Sequence, residues 1–390
     1  MQIHFFETSG AWQRMLPLTY TRPVADLRVG ILTIAEKWAK RLSSNQWSFG
    51  SESYLSAVHS SAHESDCLHV NSNVLPTDDL VKVILNLGMN ESLVQGEIVL
   101  AYRGEINATN RKNYDNEIST VNYPWDLFKL NRQEIIADFA LITKDRTSAP
   151  INDPHTKTYG DQIFLEEGVK VRAAVLNAED GPIYLGKNSQ VQEGALIKGA
   201  FALGEESHVN MGAKMRGDIT IGPYCKVGGE ISNSILYGYS SKAHDGFLGN
   251  SVIGEWCNLG ADTNNSNLKN NYANVKMWDF ETGRFKDTGL QFCGLIMGDH
   301  SKCGINTMFN TGTTVGVSAN IFGDGFPRTI IPSFAWGGAG GFSTYQIKQA
   351  FETAELVMQR RGKSLSDADK KMLQHVFEST ASNRVWEKVN

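Results

Sequence analysis

Between Leu185 and Val227 an apolar residue returns at every sixth position: Leu185, Val191, Ile197, Leu203, Val209, Met215, Ile221 and Val227. An α-helix repeats its apolar face every 3.6 residues and a strand every two, so neither accommodates this spacing. A six-residue period belongs to parallel β-helices, in which each hexapeptide makes one flat face and its aliphatic residue points into a narrow shared core. The rhythm resumes at Met297, Cys303, Phe309, Val315 and Ile321. Gly298, Gly304 and Gly316 directly follow three of these positions, where small residues permit tight corners between faces.

At 390 residues the chain exceeds one ordinary core, and a second domain beside the coil is expected. Alternating apolar strands and helix-like stretches, among them Ile3–Phe6, Ile31–Leu42, Cys67–Val70, Leu80–Leu87 and Gly96–Tyr102, read as α/β. Residues 146–158 carry Pro150 and Pro154 among polar residues and read as a linker. Helical spacing returns over 344–361 and 366–378, with Ser366 and Asp369 as a capping pair. The expected organisation is an α/β domain over 1–150, a β-helix over 151–340 and a helical cap over 341–390 that closes the open end of the coil.

A net charge of −5 without any basic block gives no electrostatic footprint for nucleic acid. No run of about 18 apolar residues is present, and the N-terminus lacks the basic and apolar regions of a signal peptide, so no membrane partner and a cytoplasmic location are expected. The five cysteines have no close pairs, which suits reduced thiols and no zinc framework.

After Val227 the rhythm breaks, and the stretch that follows is dense in neutral polar residues: Asn258, Asn264, Asn265, Asn267, Asn270, Asn271 and Asn274 follow His244. An imidazole can take a proton from an attacking amine or hydroxyl near neutral pH, and amides can hydrogen-bond a sugar without adding charge. The competing reading places asparagines at corners because they tolerate positive φ, with His244 on a solvated loop.

His244, Leu248-Gly249, Ile253-Gly254, Asn258, Gly260-Ala261 and Asn267 stand at the intervals of a motif in the bifunctional bacterial enzymes that acetylate glucosamine-1-phosphate and uridylylate the product. The stretch resembles the acetyltransferase half of that family, a left-handed β-helix. The resemblance implies His244 as general base, Asn267 beside it in catalysis, Asn258 as an acceptor contact, and the backbone near Ala261 as a donor to the thioester oxygen of acetyl-CoA. The family's phosphate-gripping arginine falls on Lys214, and Arg216 two residues on suits a bidentate fork better. Two other phosphate ligands fall on Ser232 and Phe247, so the acceptor differs from the family's unless Lys242, Lys269 or Lys276 substitutes. Arg328 is the candidate for the 3′-phosphate of CoA. The superfamily's coils pack in threes, which implies a homotrimer.

Near the N-terminus, Arg14, Leu16-Pro17-Leu18-Thr19 and Arg22-Pro23 keep the shape of a sugar-phosphate nucleotidyltransferase loop, with Gly10 as its one remaining glycine. LPLTYTRPVA and LRVGILTI resemble a divergent bacterial group in which a nucleotidyltransferase-like, Rossmann-like domain is fused to this β-helix. The resemblance implies Arg14 and Arg22 as ligands of a nucleotide or sugar phosphate. The family's Mg²⁺ aspartate falls on Asn73, a poor substitute for a carboxylate; Asp78 and Asp79 follow closely and could serve in its place, the alternative being that they mark the start of a helix. The expectation is a sugar-phosphate nucleotidyltransferase joined to an acetyl-CoA-dependent acyltransferase making an activated amino sugar for cell-wall or surface polysaccharide, with Mg²⁺ if the first half is active. The alternative keeps the acyltransferase alone, with a degenerate N-terminal nucleotide-sugar-binding or scaffold domain.

Overall fold

A computed structural model describes residues 1–105 and 110–387. The hexapeptide positions stack as expected: Leu185 pairs with Leu203 and Leu203 with Ile221, while Val191, Val209 and Val227 form a second parallel file. All eight residues of the first run are buried to 2% exposure or less. Each coil therefore has three faces with an inward aliphatic at its centre. One face is a nine-stranded parallel sheet, here the covered sheet. The next is a ten-stranded sheet, here the open sheet. The third, a six-stranded sheet continued by a two-stranded one, is here the groove sheet. Together they make the left-handed parallel β-helix.

The break after Val227 is not an end of the coil. Ile221 pairs with Leu236, Val227 with Lys242 and Met215 with Ile231, so this coil closes in 15 or 16 residues instead of 18 by shedding corner residues. The true insertion comes later: Leu259 pairs with Cys303, 44 residues on. The extra chain forms the antiparallel hairpin Lys276–Asp279 with Arg284–Asp287.

The α/β domain rests on the covered sheet. Its own six-stranded mixed sheet runs Trp47–Gly50, Ile3–Phe6, Leu68–Asn71, Ile98–Arg103, Glu91–Gln95, Asn110–Asn113. The outward residues of the covered sheet at Ile235, Val252 and Ile296 are apolar, fully buried and part of the same hydrophobic core as Phe5, Leu27 and Trp125. Helix Pro124–Thr143 lies between the two domains. From it Asn131 accepts from the Gly30 N–H and donates to the Asp218 carbonyl, and Asp138 binds the buried Lys37 ammonium and the N–H groups of Ile31 and Leu32.

The C-terminal helices, Ile347–Gln359 and Asp367–Ser379, do not close the open end of the coil as expected. They pack along the corner between covered and open sheets, with Ala350, Ala354, Met358, Leu373 and Val376 in one cluster with Trp256, Phe334 and the N-terminal Leu16 and Tyr20. That corner carries stacked aromatic rings, Tyr224 on Tyr239 at 5.0 Å and Tyr239 on Trp256 at 4.1 Å, whose apolar surface draws the helices there. The hairpin Ala335–Gly338 with Gly341–Thr344 and the ring of Trp386, packed on the coil core, finish the last turn.

Candidate functional site

His244 lies at the corner between the open and groove sheets, directly after strand Ser241–Lys242, and is exposed. Neither ring nitrogen has a hydrogen-bond partner among the described residues. The corner backbone is nevertheless fixed. Lys242 takes an inward position in register with Val227, is 1% exposed, and its ammonium donates to the carbonyls of His244 at 2.6 Å and Asp245 at 2.9 Å. Burial lowers the Lys242 pKa to about 8. As a correction to the expectation of an acceptor ligand, Lys242 is an internal tie. Its stem fills the place of an aliphatic residue and its head is spent on two backbone carbonyls.

The neighbouring corners press closely. A Cβ on Gly229, at φ +69°, would come within 2.8 Å of the His244 carbonyl oxygen, so only glycine fits beneath the histidine. Above it runs the corner of Gly260 and Ala261. The Ala261 carbonyl accepts from Asn306, and its N–H makes no hydrogen bond among the described residues. Asn258, exposed, stands over Ser241 in the parallel ladder of the open sheet. His244, Ala261 and Asn258 thus occupy adjacent coils at one corner.

Asn267 is elsewhere. Its amide donates to Asn250 Oδ1 at 2.8 Å, at the far edge of the groove sheet, so within one chain it does not meet His244. The other asparagines serve the coil itself: Asn264 accepts from the Phe247 N–H, and Asn265, buried, bonds both N–H and carbonyl of Gly249. None of the four at 258, 264, 265 and 267 has positive φ, so coil-to-coil bonding, not corner geometry, explains those that are bonded.

Arg216 and Lys214, the two choices for the phosphate ligand, line one open groove of about 580 Å³ on the groove sheet together with Lys198, Asn177 and Glu230. Arg216 is paired with Glu230 at 2.9 Å and remains mostly exposed, while Lys214 has no carboxylate within 4.0 Å among the described residues. Phe247 continues this face, in register with Glu230. Lys269 is turned into its own loop, donating to the Asn274 carbonyl, and Lys276 lies on the inserted hairpin.

Arg328 borders a different cavity, of about 620 Å³, walled by Tyr20, Trp278, Phe280, Gly338 to Gly341 and Trp386. This cavity lies at the end of the covered sheet, beside Ile330 and Ile331, and the structure does not bring Arg328 to His244.

The N-terminal motif turns inward. Arg22 is 6% exposed and ion-paired to Asp299 of the coil, with Glu255 at 3.6 Å, Asp26 at 4.0 Å and the Tyr237 ring at 5.0 Å. Thr21 donates to the same Asp299 carboxylate at 2.7 Å. Arg14 meets Glu281 from the inserted hairpin at 3.3 Å, close over Gly10. Both arginines are therefore corrected from phosphate ligands to docking residues. The cleft after strand Ile3–Phe6, about 410 Å³, is lined by Glu7, Glu52, Thr8, Ser9 and Gln13, with no cationic lining side chain among the described residues. Burial raises the Glu7 pKa to about 7. The nearest cation is Arg14, at the Ser9 carbonyl and already paired with Glu281.

Asn73 is buried; its amide donates to the Val121 carbonyl at 2.6 Å and its N–H to Asn71 Oδ1. Its Oδ1, the atom that would face a metal, is buried without a partner, but one neutral oxygen is a poor ligand for Mg²⁺, which takes hard anionic oxygens. Asp78 and Asp79 open the helix Asp78–Leu85 behind the N-cap Thr77, as their alternative reading has it.

The fold and these sites define an α/β nucleotidyltransferase-like domain docked on a hexapeptide β-helix. Residues 3–147 match the family model described as sugar nucleotidyl transferase. No curated protein matches the chain. Among solved structures, the polySia-specific acetyltransferase NeuO is similar at 15% identity and TM-score 0.28, covering 48% of this chain and 85% of its own. The Arabidopsis UDP-N-acetylglucosamine acyltransferase is similar at 14% identity and TM-score 0.25, covering 62% and 97%. Among the described residues no helix is long and apolar enough to cross a membrane.

Proposed function

We propose that the chain is a sugar-directed acyltransferase, with acetyl-CoA as donor, a phosphate-bearing amino sugar as acceptor and His244 as general base, and that its N-terminal domain keeps a nucleotidyltransferase fold without nucleotidyl transfer. The observation that carries this reading is a contrast: the His244 imidazole stands free on a corner braced from inside, whereas both motif arginines are consumed by carboxylates of the coil and its hairpin.

In the proposed reaction His244 takes a proton from the acceptor amine as its nitrogen attacks the thioester carbonyl. The C–N bond forms, the Ala261 N–H steadies the developing oxyanion, and the C–S bond breaks with the CoA thiolate leaving. The imidazolium returns its proton to the thiolate. Lys214 and Arg216 hold the acceptor phosphate. A homotrimer would set the groove sheet of one protomer against the corner of the next, which supplies the orienting partner that His244 lacks within one chain.

The test is acceptor-dependent release of CoA thiol from acetyl-CoA, across amino-sugar phosphates and nucleotide sugars, for wild type and His244→Ala. The expected loss in the variant is about 10²-fold or more, with folding stability unchanged within about 0.5 kcal/mol because the side chain is exposed. No release with any acceptor would overturn the reading.

A further inference from the structure

His63, Cys67 and His69 converge at the N-terminal sheet and take no part in the proposed reaction. The Cys67 sulfur lies 3.3 Å from His69 Nε2 and 3.6 Å from His63 Nδ1, and all three donor atoms fall within 4.8 Å of one another. A tetrahedral zinc site with ordinary Zn–S and Zn–N bonds has an S···N edge of about 3.6 Å. The group is therefore already at the spacing of metal ligands. It is the only set of three or more such residues among the described residues.

The surroundings fit a ligand role better than a purely packed one. His69 is buried and lies flat on Tyr102, 4.2 Å away at 5°, which fixes its ring with Nε2 toward the thiol. Its Nδ1 is buried without a partner, so backbone hydrogen bonding is not what holds the ring there. His4, held by Ser48 at 2.9 Å, brings a further imidazole within 4.1 Å of His63. His63 and His4 both line a cavity of about 380 Å³ with His59 and Ser61.

We propose that His63, Cys67 and His69 bind one soft divalent transition metal, Zn²⁺ in the first instance, with the fourth position left to water or to a ligand from the adjoining cavity. Two nitrogens and one thiolate select Zn²⁺ over Mg²⁺ or Ca²⁺, which take oxygen. The ion replaces the thiol proton, which leaves to solvent, and His63 exchanges its contact with the Glu64 carbonyl for the metal. Binding ties the segment before Cys67 to the strand Leu68–Asn71.

Full-length protein stripped with a chelator is titrated first with Co²⁺ and then with Zn²⁺. One equivalent of Co²⁺ should produce tetrahedral d–d absorption and a thiolate-to-cobalt charge-transfer band, both removed by Zn²⁺, and Zn²⁺ should raise Tm. Cys67→Ser should lose the charge-transfer band. His63→Ala, at an exposed position that tolerates truncation, should weaken Zn²⁺ binding at least about tenfold. Absence of the band in wild type, its persistence in Cys67→Ser, or unchanged Zn²⁺ affinity in His63→Ala would each overturn the proposal.

Discussion

The N-terminal motif and the His244 corner carry equally legible patterns, yet their surroundings give them opposite roles. Arg22 and Thr21 converge on Asp299, Arg14 meets Glu281, and Tyr237 accepts from the Arg28 N–H, so the motif has become the surface by which one domain grips the other. At the coil corner the polar ties are internal, from Lys242 to the backbone, and the imidazole is left outside. A charge buried against a partner within its own chain is no longer available to a ligand, whereas the exposed Arg216 can exchange Glu230 for one. That distinction separates the two regions more sharply than any motif score.

The strongest way to break this comparison is to remove the docking charge. Arg22→Ala or Asp299→Ala should each destabilise the protein by about 3–5 kcal/mol, because each leaves an unpaired buried charge. The double variant should cost less than the sum of the two, because the residues act as a unit. Urea unfolding measures all three. An Arg22→Ala protein of unchanged midpoint that loses nucleotide binding would return the motif to ligand recognition.

Next in size is the groove. Lys214→Ala combined with Arg216→Ala should raise the acceptor KM by roughly 10- to 100-fold, on the scale of lost charge-assisted hydrogen bonds, with kcat little changed. A purely kcat effect would place the phosphate elsewhere.

Lys242→Met tests the brace beneath His244. Burial holds the folded pKa near 8, below the usual 10.5, so between these values the unfolded chain keeps a proton that the folded chain has lost. Wild-type stability should therefore rise as pH increases from about 8 towards 10.5, and that rise should vanish in the methionine variant. Thermal melts across this window read the effect. Acyl transfer should fall by about tenfold at neutral pH as the corner loosens.

The smallest effect belongs to Arg14→Ala. Its pair with Glu281 is partly exposed, and its loss should cost less than about 1 kcal/mol and shrink with added salt. A larger loss would make the hairpin contact a principal tie between the domains.

Much of the coil was legible because one inward residue per hexapeptide suffices to specify it, and those residues are buried where the period places them. The shortened coil was not, since Ile231, Leu236 and Lys242 fall off the six-residue grid and a lysine occupies an aliphatic place. A signal for the covered sheet was present in the adjacent apolar pairs Ile235-Leu236, Val252-Ile253 and Ile296-Met297: a strand apolar on both faces is buried on both. The His63, Cys67 and His69 group has no signature in the sequence, because its spacing crosses a loop into a strand and only the fold brings the three side chains together.

Local periodicity and capping were enough to specify the parallel coil, a separate α/β unit and the two helices after Thr344. Which polar residues remain free was settled by tertiary packing. It laid the C-terminal helices on the aromatic corner, turned Arg22 onto Asp299, sent Asn267 to Asn250, and drew Lys242 inside. The polar outcomes depend on partners from 2 to 277 residues away, and the competition between a chain's own acceptors and its ligands is settled only when those partners meet.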